Sequence, residues 1–450
     1  MEFINREREL DFLAEKYSSE QAELIVLYGR RRIGKSELVR KSLESIENSV
    51  YYQATESTPT NQLEKFEETG KRKFPELEKL ENDWEILLEH LGNENAVVAI
   101  DEFPFLIEAD GSVLSKFQRV WDQHLQNTGM TLILIGSSIS VMEEKVLSGG
   151  SPLYGRRTGS IDLEPLEIEQ MLEFYEAEPG QAIRAYSVFG GTPHYLQSLQ
   201  EDKNLRENIE ELILHQEGRL HDEPEFLLRT ELEKPARYFS ILGALASGKT
   251  TQNEIAQETG IDHSQIGSYL SKLRKIRLVE REVPVTEDPK HTRRSIYRIS
   301  EPLFRFWFRF LYGRQDRLEL AENPYRELIE PELNDFISPA FEELCQTKVP
   351  ELIPAKYTRT GRWWYQEHEI DVVGIAEEKT VLGEAKYTNQ KAGKPLLDHL
   401  EKKREKIRLP KESKENVEFA LFSRKGFTQD FLDLGNERSD IYLFTPRDLF

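Results

Sequence analysis

Hydrophobic residues in the first third of the chain come in short unbroken runs. Leu24–Tyr28 ends at a glycine, Val97–Ile100 ends at two acids, and Leu132–Ile135 ends at Gly136-Ser137-Ser138. Continuous apolar runs of this length suit strands buried on both faces, where neither side meets water. Ser49–Tyr52 and Ser160–Asp162 read as two further strands, with helix-forming stretches between them. The alternation predicts an α/β fold with a doubly wound parallel sheet. Ligands are expected at the carboxyl ends of its strands.

The period changes further on. Thr251 is placed to cap a helix over 252–259, and Gly260-Ile261-Asp262 makes a turn. A second helix follows from His263 to Ile276, with Ile266, Leu270 and Leu273 on one face. Leu278–Val283 and Ser295–Ile299 then form a hairpin around a polar loop, so 236–300 predicts a winged helix-turn-helix. The aromatic run from Phe304 to Tyr312 reads as the core of a closing helix rather than as a stack for bases. Beyond residue 320, two strands (369–374 and 381–386), a helix (394–406) and a strand (417–423) suggest a second α/β domain.

Composition narrows the class. The 450 residues carry a net charge of −21, which excludes a general polyanion binder and confines any nucleic-acid contact to a local patch. One segment is basic: over 271–298, nine Lys/Arg stand against four acids. Lys272, Arg274, Lys275, Arg293 and Arg294 could contact DNA phosphates while Ser264, Gln265 and Ser268 face a groove. Equally, the winged helix could serve protein contacts, its basic residues pairing with an acidic neighbour. The one cysteine, Cys345, excludes an internal disulfide or a Cys-based zinc site and reads as a small buried hydrophobe. No run approaches membrane-spanning length, and the expected location is cytoplasmic.

The sharpest chemistry lies after the first strand. Gly29-Arg30-Arg31-Arg32-Ile33-Gly34-Lys35-Ser36 has the spacing of a phosphate-binding loop between a strand and a helix that continues through Glu37. Its glycines let backbone N–H groups close around a polyphosphate at a helix N-terminus. Lys35 would reach the β- and γ-phosphates of ATP, and the Ser36 hydroxyl would hold Mg²⁺. At the end of the third strand Asp101 can hold the metal through water, and Glu102 can polarise the attacking water. Ser137 or Ser138 could bond the γ-phosphate or that water, or could be simple turn chemistry. Arg156 and Arg157 could stabilise developing charge, in cis or from a neighbouring subunit; composition alone reads them as a solvated basic loop.

A second constellation sits near the C-terminal end of the sequence. Asp371 lies in one strand, and twelve residues separate it from Glu384 in the next. Glu384 and Lys386 are two apart and so share a face. Two carboxylates there can bind a divalent cation, with the lysine orienting water for phosphodiester attack. The same residues could form an ordinary cross-strand ion pair.

Taken together, Phe3–Leu10, the loop Tyr28–Ser36, Ile100–Pro104, Ile135–Ser138, Pro152–Arg157 and Gly190–Leu196 resemble the archaeal ATPase family, a branch of the AAA+-like/STAND P-loop ATPases. The resemblance implies that Asn5, Arg6 and Glu7 lie near the adenine and that Ser137 or Ser138 is a sensor. It makes Arg156 or Arg157 an arginine finger and puts Gly191-Thr192-Pro193 in a helical lid against the nucleotide. Asp371, Glu384 and Lys386 resemble the motif of the PD-(D/E)xK nuclease superfamily, and Glu342 matches the helical glutamate that some members add.

The expected organisation is an ATPase core (1–165), a helical lid (166–230), a winged helix (231–318) and a restriction-endonuclease-like domain (319–450). The expected function is ATP-dependent, Mg²⁺-dependent action on double-stranded DNA, with possible homo-oligomers. The alternative is an ATP-driven signalling switch that binds DNA or protein and cuts nothing.

Overall fold

Tyr28 ends the strand that organises the N-terminal half. In the computed structural model, which describes residues 3–409 and 416–450, strand β1 is Glu23–Tyr28. It lies in a five-stranded sheet with β2 (Ser49–Gln53), β3 (Val97–Asp101), β4 (Thr131–Gly136) and β5 (Gly159–Asp162). The order is β2-β3-β4-β1-β5, and every neighbouring pair is parallel. Each strand begins within a residue of the start predicted from the hydrophobic runs.

The apolar runs are continuous because both faces are covered. Leu24 and Val26 pack on one side with Trp84, Val98, Phe117 and Leu134. Ile25 and Leu27 pack on the other with Leu13, Leu38, Ile133 and Ile135. Each fully buried side chain of this kind contributes about 1.5–3 kcal/mol, so the sheet is a rigid base for the loops at its ends.

The chain forms two compact units: residues 1–165 with 192–194, and residues 166–191 with 195–450. The second unit therefore holds most of residues 166–230, the winged helix and the C-terminal sheet together. Its winged helix has helices at Gln252–Thr259 and His263–Lys275, then antiparallel strands β6 (Val279–Glu282) and β7 (Ile296–Ile299). Thr251 and Glu254 form a reciprocal cap on the first helix, and Gly260, at φ 66°, ends it. Helix Pro302–Phe310 follows, with Phe304, Phe306 and Phe310 wholly buried.

The C-terminal sheet runs β12-β11-β10-β9-β8, where β8 is Tyr357–Tyr365, β9 His368–Ala376, β10 Thr380–Lys386, β11 Val417–Ser423 and β12 Ile441–Phe444. Helix Leu333–Leu352 packs on β8, β9 and β10, and helix Lys394–Arg404 packs on β9 and β10. Among the described residues no helix is long and apolar enough to cross a membrane.

Candidate functional site

The carboxyl edge of the first sheet gathers most of the residues singled out in the N-terminal sequence. Gly29 leaves β1 at φ 154°, where an added Cβ would meet the Leu163 carbonyl oxygen at 2.5 Å. Gly34 at φ 93° opens helix Lys35–Leu43. The buried Lys35 ammonium lies inside the loop, 3.0 Å from Gly29 O and 2.7 Å from Arg30 O. Arg32 also adopts a positive φ, 67°, and its Nη1 lies 2.5 Å from His194 Nε2, while Pro193 sits 3.9 Å from where a Gly34 Cβ would be. Arg30 and Arg31 are half-buried. Ile33 turns its side chain into the core, leaving only its backbone for the loop. Glu37 is exposed and pairs with Arg40 on the helix surface, a position turned to solvent rather than to the loop.

The acids meet the loop. Ser36 Oγ donates to Asp101 Oδ2 at 2.6 Å, and Tyr51 donates to the same oxygen. Burial, then the Asp101 charge, holds the Tyr51 phenol well above its ordinary range. Glu102 is at φ 51°, a left-handed conformation that is costly for a residue with a side chain. In that conformation its Oε1 accepts from Ser137 Oγ at 2.7 Å. Asn5 and Arg6 both have positive φ, and Arg6 Nη2 donates to Glu164 O at 2.5 Å, just past β5. Glu7 is exposed at the start of helix Glu7–Tyr17.

Arg156 and Arg157 lie elsewhere. The loop that carries them ends at Thr158, whose N–H bonds Leu24 O at the start of β1. Five strand residues, roughly 16 Å, separate that edge from the phosphate loop. Arg156 grips both oxygens of Asp122 at 2.6 Å, and Arg157 is exposed. The cis role expected as one option for these arginines is therefore corrected: within one chain they face the wrong end of the sheet.

In the winged helix, Ser264 and Ser268 are exposed, but Gln265 accepts from Arg237 at 3.0 Å. The wing is not free either. Val285 N donates to Arg362 O at 2.9 Å, Arg359 Nη1 donates to Glu287 O at 2.7 Å, and the Val285 side chain joins Trp363 and Ile370 in one core. Arg294 stacks over the Tyr365 ring at 4.9 Å. The wing thus rests on β8 of the C-terminal sheet.

In that sheet Asp371 and Glu384 are buried and Lys386 is half-buried. Lys386 Nζ is 2.8 Å from Glu384 Oε1 and 3.9 Å from Asp371 Oδ2. The other Glu384 oxygen accepts from Lys403 Nζ at 2.8 Å, so lysines hold both oxygens. Carboxylate oxygens of Glu342, Glu369 and Asp371 lie within 4.8 Å of one another. Burial, then the Asp371 charge, pushes the Glu342 carboxyl up to about 7. Asp371 is likewise raised, by burial and then by Glu384. Burial would lower Lys386, but Glu384 and Asp371 hold its ammonium above the usual range.

Residues 3–199 match the ATPase domain predominantly from Archaea. An uncharacterized protein of Methanocaldococcus jannaschii is 34% identical over 448 residues, covering 95% of this chain and all of that protein. The chain belongs to the archaeal ATPase family. An uncharacterized ATP-binding protein of the same organism is 54% identical over 43 residues, 10% of this chain and 73% of that protein. The Walker-type ATPase of Pyrococcus abyssi shares the fold, with a TM-score of 0.52 at 22% identity over 68% of this chain and 96% of that one. Residues 234–294 match the MarR family, and residues 307–404 match archaeal and bacterial proteins of unknown function.

Three residues at these two clusters carry no motif of their own. Tyr51 reaches Asp101 from the neighbouring strand, a contact that only the strand order reveals. Lys403 arrives from a helix with no motif. Glu369 was legible, because it is two residues before Asp371 and so shares its strand face.

Proposed function

We propose that this chain binds ATP at Gly29–Ser36 and hydrolyses it, and that it acts on DNA through its winged helix and C-terminal sheet. The observation that supports this most is the convergence of Lys35, Ser36, Asp101, Glu102 and Ser137 at one sheet edge. The Ser36 hydroxyl and Asp101 carboxylate are hard oxygen donors in contact, a set that suits Mg²⁺. Bound there, the ion would neutralise charge on the phosphates. Glu102, held by Ser137, would orient the attacking water and accept its proton. Asn5, Arg6 and Glu7 would lie by the adenine, Pro193 would close over the loop, and Arg156 or Arg157 would act on a neighbouring subunit's nucleotide.

In the same reading the C-terminal domain is a PD-(D/E)xK-like nuclease. Asp371, Glu384 and Glu342 are oxygen donors of the right kind for a divalent cation, and Lys386 would position water. The basic face of helix His263–Lys275 would track a duplex.

A second reading is favoured by two contacts: the wing seated on β8, and the lysines on both oxygens of Glu384. In it the chain is a switch that binds DNA or protein and cuts nothing. A mobility-shift and cleavage assay with Mg²⁺ or Mn²⁺ separates the two. Cleavage by the wild type that is lost in Asp371→Ala supports the nuclease. Binding without cleavage in every variant supports the switch.

A further inference from the structure

Two arginines meet near the end of β10 that carries Lys386, and among the described residues no acid answers them. Arg184, on helix Pro179–Phe189, and Arg424, just past β11, both point a guanidinium nitrogen at Asn334 Oδ1, at 3.5 and 3.0 Å. Arg424 also donates to Asn389 Oδ1 at 3.1 Å and lies 4.8 Å over the ring of Tyr387. Both arginines are half-buried. Among the described residues neither has a carboxylate within ion-pair distance. The Tyr387 hydroxyl beside them is buried and faces Arg184, and the two guanidiniums oppose the rise that burial gives its phenol.

This arrangement is unusual for the chain. It has 81 acidic against 60 basic side chains, so a carboxylate would be the ready partner for two converging guanidiniums. Neutral amide oxygens occupy those positions instead. They orient the arginines without cancelling their charge, which leaves the pair suited to an anion with several oxygens.

The location says which anion. Arg424 N donates to Lys386 O at 3.0 Å, tying the pair to the backbone of the cluster's own lysine. Asn334 precedes Glu342 by eight residues on one helix, about 12 Å along its axis. That is about three to four nucleotide steps along a duplex.

We propose that Arg184 and Arg424 form a phosphate-binding cradle that seats a nucleic-acid backbone next to the Asp371–Glu384–Lys386 cluster. This rests on reading the C-terminal domain as one that acts on DNA. Arg184 comes from the lid region, so the cradle also joins the lid to the sheet that would bear on the nucleic acid.

The test is fluorescence anisotropy of the full chain with a labelled 20-base-pair duplex (about two helical turns) in EDTA, titrated with salt. Circular dichroism checks that each variant is folded. The expected result is that Arg424→Gln and Arg184→Gln each weaken binding several-fold at low salt. Each should also reduce the slope of log affinity against log salt by about one. Arg424→Lys should keep the slope and recover part of the affinity. ATP affinity should stay the same throughout. An unchanged slope in a folded double variant, or no duplex binding by the wild type, overturns the proposal. So does thermal stabilisation by inorganic phosphate that Arg424→Gln abolishes while duplex binding is untouched, which would assign the cradle to a free anion. If the slopes change as expected but no metal yields cleavage, the cradle stands and the nuclease reading falls.

Discussion

Ser137 Oγ lies 2.7 Å from Glu102 Oε1, joining the ends of β3 and β4 across the edge where the phosphate loop opens. The hydroxyl holds a carboxylate whose backbone is already forced into a left-handed conformation. Two separate constraints on one side chain indicate that its direction matters.

Removing the hydroxyl should therefore disturb chemistry more than binding. Ser137→Ala is expected to lower ATP turnover by about ten- to a hundredfold, within the range of a positioned acid–base group. ATP affinity should change less than about threefold, since Lys35 and the loop amides are untouched. Steady-state turnover and equilibrium binding, measured side by side, check the split.

Gly29 is fixed by geometry rather than by propensity. A Cβ there would sit 2.5 Å from the Leu163 carbonyl oxygen, and this neighbour is backbone that cannot swing away. Gly29→Ala should lose on the order of 1–3 kcal/mol of stability in urea unfolding and weaken ATP binding with it. Gly155→Ala, whose Cβ meets nothing within 4 Å, carries only the cost of its φ of 81° and should lose less.

Much of this was legible in the sequence because burial on both faces writes itself as unbroken apolar runs. Leu24–Tyr28, Val97–Ile100 and Leu132–Ile135 could hardly be anything but inner strands. The winged helix was equally readable, through the Thr251 cap and the Gly260 stop. β8 was not, since Arg359, Thr360, Gly361 and Arg362 break its pattern: it meets the wing and helix Leu333–Leu352, while Thr358, Arg359 and Thr360 stay exposed. The ion pair of Arg156 with Asp122 and the docking of Val285 on β8 were invisible for another reason. Both join segments distant in sequence, and no local spacing encodes them.

The seat of the wing should depend on pH. Glu282 is raised above its ordinary 4.5, chiefly by burial, with Arg298 opposing and Glu343 adding to the rise; Arg362 also faces it at 3.8 Å. A carboxyl raised on folding favours the native state below its unfolded value, and that contribution is lost as pH climbs through the folded one. The melting temperature of Glu282→Gln should therefore gain on that of the wild type as pH rises from the ordinary carboxyl range to above it. Calorimetry at several pH values checks the difference between the two curves.

Val285 anchors the wing by packing with Trp363 and Ile370. Placing an unpaired charge there, with Val285→Asp, should cost on the order of 2–4 kcal/mol locally. Trypsin should then cut at Lys290, Arg293 or Arg294 well before it does in the wild type, as mass spectrometry of timed digests would show.

The central claim is that the loop from Gly29 to Ser36 grips a triphosphate through Lys35. Isothermal titration of ATP with Mg²⁺ into the full chain tests it most directly. One site per chain is expected, with affinity reduced at least about tenfold in a folded Lys35→Ala variant, as befits the loss of a charge-assisted bond. Absence of ATP binding by the wild type, or equal binding by both proteins, would contradict it.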